Sequence, residues 1–147
     1  MLHVTYDAVE DLEPGRLAHI EQTRGRVRNL LDRQAPLEDV VRKLNVEIAR
    51  LIASDTWYQL WGDEIVGRDT PGAPLRVQYL LERMVPETAV VLEDKGLVSV
   101  YIDPVLDVPA FAAVMNQTAK ELLDGGRWFQ AHAGEIIDMT PEPMSQI

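Results

Sequence analysis

A chain of 147 residues, 46% hydrophobic and 26% charged, has the size and composition of one ordinary globular domain, which excludes a disordered polymer and leaves little room for two independent cores. Cysteine is absent, which excludes disulfides, thiolate metal ligands and a cysteine nucleophile. The net charge of -10 is concentrated in residues 51–147, with 6 basic and 15 acidic side chains against 8 and 9 in residues 1–50, and such a field repels a nucleic-acid backbone.

Leu2 to Tyr6 alternates loosely and is expected to form a short strand. Pro14 and Gly15 precede a stretch in which Leu17, Ile20, Val27, Leu30 and Leu31 share a helical stripe, with Glu21, Arg24, Arg28 and Asp32 opposite. After Gln34 to Pro36, the residues Leu37, Val40, Val41, Leu44, Ile48, Leu51 and Ile52 give the strongest helical pattern in the chain. Pro36 suits a first turn, and Glu38 and Asp39 suit the positive end of the helix dipole. Two adjacent amphipathic helices predict an antiparallel helical hairpin.

Trp57, Tyr58, Trp61 and Ile65 recur at helical spacing, and Gly67 to Pro74 reads as an exposed loop. Leu75 to Met84 fits a helix through Val77, Leu80, Leu81 and Met84, although Val77, Tyr79 and Leu81 also alternate; a short helix is expected. Thr88 to Leu92 and Leu97 to Ile102 are β-branched runs joined by Glu93 to Gly96, the pattern of a hairpin. Asp107 and Pro109 open a further long helix carrying Phe111, Val114, Met115 and Leu122, stopped by Gly125 and Gly126. Trp128 to Ile137 is compatible with a helix or a strand. These elements predict an α+β fold: a helical hairpin plus a further long helix packed on a small antiparallel β-sheet. One domain over 1–139 and a flexible tail over 140–147 are expected.

Residues 57 to 66, WYQLWGDEIV, echo residues 128 to 137, WFQAHAGEII, at an offset of 71 that extends back through Leu51 with Leu122 and Asn45 with Asn116. A duplicated unit would explain this and would place Trp57 and Trp128 in equivalent settings. Against it, a helix is expected before one copy and a hairpin before the other.

The catalytic templates are mostly missing: no phosphate-binding loop, dinucleotide fingerprint, HExxH or nucleophile elbow occurs. His132 and Glu135 would meet on one helical face, but a metal needs three or more preorganised ligands and His3 and His19 lie in no metal motif, so no metal and no cofactor are expected. Arg24 and Arg28, one helical turn apart, suit either an anion or carboxylate clamp or internal neutralisation of the acidic part. Three tryptophans and an asymmetric acidic charge point to a non-catalytic accessory or regulatory protein. It would bind another protein, one with a basic surface, through Trp57, Trp61, Trp128 and Phe129. A homodimer is compatible with this. The alternative is a small enzyme or metabolite-binding domain using His132, Glu135 or Glu64 in an aromatic-lined pocket. No apolar run reaches the roughly 18 residues of a membrane span and Met1 to Asp7 lacks an export signal, so a cytoplasmic protein without membrane or nucleic-acid partners is expected.

Overall fold

The computed structural model describes residues 2–53, 76–94, 97–128, 130–132 and 135–137. Trp57, Trp61, Glu64 and Phe129, the loop at 67–74 and the tail at 140–147 lie outside these residues. In chain order the elements are β1 (His3–Val9), β2 (Ala18–Thr23), β3 (Arg26–Asp32), α1 (Leu37–Ala53), β4 (Arg76–Leu81), β5 (Ala89–Asp94), β6 (Leu97–Ile102), α2 (Val108–Asp124), β7 (Gln130–His132) and β8 (Glu135–Ile137).

The fold is α+β, but three expectations are overturned. Residues 18 to 32 are not the first helix of a hairpin; they are the antiparallel strands β2 and β3. Burial alternates along β3, with Val27, Asn29 and Leu31 inward, the period of a strand. Asn29 disguised that period, since a polar residue takes an inward position and donates from Nδ2 to Thr5 O at 3.1 Å, while the apolar Leu30 sits between two core positions. Gly25, at φ +84°, makes the turn where a helix would have had to continue. Residues 76–81 are likewise a strand and not a short helix, and they follow the Val77, Tyr79, Leu81 alternation.

The sheets are also not purely antiparallel. Sheet order is β1-β3-β2 and β4-β6-β5, with β1 parallel to β3, β4 parallel to β6, and the third strand antiparallel in each. The described elements β1 to α2 therefore repeat a βββα unit, and the short β7–β8 pair follows the second copy. Asp32 and Asp103, Asn45 and Asn116, and Leu51 and Leu122 all stand 71 residues apart, the offset of the sequence echo. Because both helices follow a hairpin, the apparent mismatch upstream of the two copies disappears.

Each helix reaches across to the first strand of the other unit, α1 to β4 and α2 to β1, and α1 also packs on β2 of its own unit. At the edge of the first sheet, Asn116 Oδ1 accepts from Tyr6 N at 2.7 Å and its Nδ2 donates to Tyr6 O at 2.8 Å. Asn45 does the same to Tyr79 N and O, at 2.7 and 2.9 Å. A primary amide carries one donor and one acceptor face, as a further strand residue would, and so it caps an edge that would otherwise bury unpaired peptide groups. This reciprocity is the contact pattern of a two-fold dimer interface, here within one chain. On the pseudo-axis the Tyr6 and Tyr79 hydroxyls lie 2.6 Å apart, and Phe111 meets both rings edge-on.

The two helices start alike. Asp32 Oδ1 accepts from Gln34 N and Asp103 Oδ1 from Val105 N, turning the chain out of the central strand into the helix. Asp103 does more: its Oδ2 accepts from Glu87 N at 2.7 Å and from Arg83 Nε at 3.0 Å. Burial would raise its carboxyl, but those two N–H donors and the Arg83 guanidinium outweigh it and hold the group below the ordinary aspartate value. A depressed folded value stabilises above the unfolded value of about 3.9 and the benefit is lost as pH falls through the folded one. Asp103→Asn is therefore expected to melt lower than the parent at neutral pH, with the gap closing below about pH 4. Parallel acid titrations of melting temperature check this, and a gap independent of pH would reject the carboxylate as its source.

Candidate functional site

The duplication sets up two equivalent junctions between a helix and the edge strand of its own sheet, and they differ. In antiparallel pairing only alternate residues direct their peptide groups at the partner strand. Asp32 N donates to Leu17 O, and Asp103 N to Thr88 O, which fixes the alternation: Ala18 and Ile20 in β2, and Ala89 and Val91 in β5, turn their peptide groups away from the sheet and toward the junction.

In the first unit the junction is filled by side chains. Glu47 lies on the apolar stripe of α1, its side chain only 8% exposed. It accepts from Arg50 Nη2 at 3.0 Å and Nε at 3.3 Å, from the outward N–H of Ile20, and lies 3.3 Å from His19 Nδ1. Burial pushes its carboxyl up, but the Arg50 and His19 hydrogen bonds, the Arg50 charge and the Ile20 N–H together bring it below the ordinary value. Arg16 Nη2 also reaches His19 Nδ1, at 3.0 Å. One nitrogen cannot accept from arginine and donate to a carboxylate at once, so only one of these two contacts is a hydrogen bond in either tautomer.

In the second unit the equivalent junction is open. Thr118 stands where Glu47 stands, and its hydroxyl donates back to Val114 O at 2.9 Å. Glu121 replaces Arg50 and accepts from Gln117 Nε2 at 2.9 Å. Here α2 stands off from β5, leaving a groove of about 380 Å³ lined by Thr88, Ala89, Val91, Val114, Thr118, Glu121 and Arg127, among others. That volume lies within the range of small-ligand sites.

Of the residues singled out from sequence, those that are described lie outside this groove. Trp128 is 1% exposed and belongs to the core. His132 and Glu135 do not share a helical face; they are opposed residues of the β7–β8 hairpin. Arg28 pairs across the strands with Glu21, Nη1 to Oε1 at 3.1 Å, and Arg24 lies in the turn between β2 and β3, so the two are not a helical pair. Among the described residues no cluster of three or more His, Asp or Glu side chains could hold a metal, and no helix is long and apolar enough to cross a membrane. The groove residues escaped sequence reading because no local motif joins β5 to α2. Glu47 did leave a signal: it is a charge inside an apolar stripe, between Leu44 and Ile48.

Comparison with protein-family models, curated proteins and solved structures found no match. The described residues form a duplicated βββα arrangement followed by a short two-stranded sheet, with an open groove between α2 and β5.

Proposed function

We propose that this protein is a metabolite-binding domain whose site is the groove between α2 and β5. The observation that carries the reading is the difference between the two copies: the same junction is packed with an ionic network in one and open at about 380 Å³ in the other. Both sheets and both helices are retained, so the opening is not a by-product of a different architecture. The lining combines apolar surface from Ala89, Val91 and Val114 with the polar groups of Thr88, Thr118, Glu121 and Arg127, the mixture that holds and orients a small ligand.

A protein-docking role is less well supported. Of the aromatic side chains of the kind that anchor protein interfaces, those described at Tyr6, Tyr79, Phe111 and Trp128 are in the core and Tyr101 is half-buried, while Trp57, Tyr58, Trp61 and Phe129 lie outside the described residues. Among the described residues the exposed large apolar groups are Val46 on α1, Leu92 on β5 and Met84, Val85 and Val105 on loops, all aliphatic or thioether side chains.

Titration of the isotope-labelled full chain with a set of small polar fragments is expected to shift the amides of Thr88, Ala89, Val114 and Thr118. Val114→Trp, which fills the groove, should weaken that binding at least about tenfold, a loss of about 1.4 kcal/mol, with little change in melting temperature. Fragments that cluster elsewhere, or that bind the tryptophan variant equally well, would reject the groove.

A further inference from the structure

We infer that the groove takes the carboxylate of a small organic acid with an aliphatic body, using the Val91 N–H as donor and Arg127 as counter-charge. This rests on the ligand-binding reading and names the ligand class. The filled copy supplies the precedent. There a carboxylate, that of Glu47, accepts from the outward N–H of Ile20 and from the Arg50 guanidinium. The residue 71 positions after Ile20 is Val91 and the one 71 after Glu47 is Thr118. Val91 turns its N–H outward by the same alternation and lines the groove. That N–H is not directed at β6, and at the position of the Glu47 carboxylate there is only the Thr118 hydroxyl, which turns back to donate to Val114 O. An edge N–H that one copy satisfies with its own carboxylate is left in the other copy to whatever enters from solvent.

The charges agree with this. Glu121 stands where Arg50 stands, so the counter-charge has to come from another residue, and Arg127 lines the same groove with no ion pair among the described residues. A guanidinium beside a backbone N–H favours an oxygen anion over a neutral carbonyl, since charge-assisted hydrogen bonds are roughly twice as strong as neutral ones. Ala89, Val91, Val114 and Leu122 supply the apolar wall for the rest of the ligand.

The test uses the labelled full chain with hexanoate and its neutral analogue hexanamide as probes, followed by amide shifts and hydrogen exchange. Hexanoate is expected to shift the Val91 amide and slow its exchange, and to bind about tenfold or more tightly than hexanamide. Arg127→Gln should weaken hexanoate by about the same factor and leave hexanamide unchanged, whereas Glu121→Gln, which removes a like charge, should strengthen it. The double variant Thr118→Glu with Glu121→Arg transplants the Glu47–Arg50 pair. It should protect the Val91 amide without ligand and no longer bind hexanoate. Equal response to the two probes, or hexanoate binding that leaves Val91 untouched, overturns the carboxylate assignment while the groove reading stands. The carboxylate assignment also falls if neither probe binds but other fragments still occupy the groove. If no fragment of any kind enters the groove, both readings fail.

Discussion

Asn116→Leu is expected to destabilise the protein by about 3–5 kcal/mol, because each buried peptide group left without a partner costs about 1–3 kcal/mol and this substitution strands two, Tyr6 N–H and Tyr6 C=O. Leucine keeps the branching of asparagine and is larger, so no cavity contributes to the loss. Asn45→Leu strands Tyr79 N and O in the same way and should cost a similar amount. Each amide ties the helix of one unit to the edge strand of the other, so the double variant removes both ties; against a typical total stability of about 5–15 kcal/mol it should be largely unfolded. Urea denaturation of the three variants measures this, and amide exchange at Tyr6 and Tyr79 localises it. A single-variant cost below about 1 kcal/mol would mean that water replaces the amide and that the edges are not sealed by it.

Phe111→Ala should cost about 3–5 kcal/mol, the usual penalty for emptying an aromatic site in a core that cannot collapse around the space. Phe111 is wholly buried, with its ring centroid 6.2 Å from that of Tyr6 and 6.4 Å from that of Tyr79, so the cavity opens beside the hydroxyl pair. Its counterpart in α1 is Val40, also fully buried, and Val40→Ala should cost less because fewer atoms are removed.

The tyrosines give a second readout. Burial pushes Tyr79 up to about 12, and burial followed by the neighbouring Tyr79 raises Tyr6 well above the ordinary phenol value. Phenols with raised folded values stabilise fully below the unfolded value of about 10, and that contribution fades as pH climbs toward the folded one. The parent should therefore lose stability on the alkaline side. In Phe111→Ala, water entering the cavity lowers the desolvation cost, and the two phenols should ionise at lower pH. Unchanged phenol titration together with a small stability loss would show that the core closes over the missing ring.

Much of the second unit, and α1 of the first, was legible in the chain. The α2 helix follows from Asp107, whose side chain accepts from Ala110 N, from Pro109 and from the terminal glycines; the β5–β6 pairing follows from β-branched alternation; and α1 follows from its long apolar stripe. These are local features, written within a few residues of where they act. The first unit misled at β2 and β3, where Asn29 points inward and Leu30 does not, so that apolar spacing imitated a helix. The 71-residue offset was visible through Asn45 and Asn116, but their role was not, since a primary amide reads as an edge-strand cap only once the strand it meets is known.

What the sequence determined by itself is the class of fold, the two long helices, the second hairpin and the duplicated spacing, because helix periodicity, capping and turn chemistry are set by neighbours along the chain. The tertiary structure alone decided which helix closes which sheet, why Glu47 is buried, and that one junction is sealed while its counterpart is open. Those outcomes depend on groups distant in the chain, Ile20 with Glu47 and Val91 with Thr118, whose hydrogen-bonding demands meet only when the strand edges and helices are packed together.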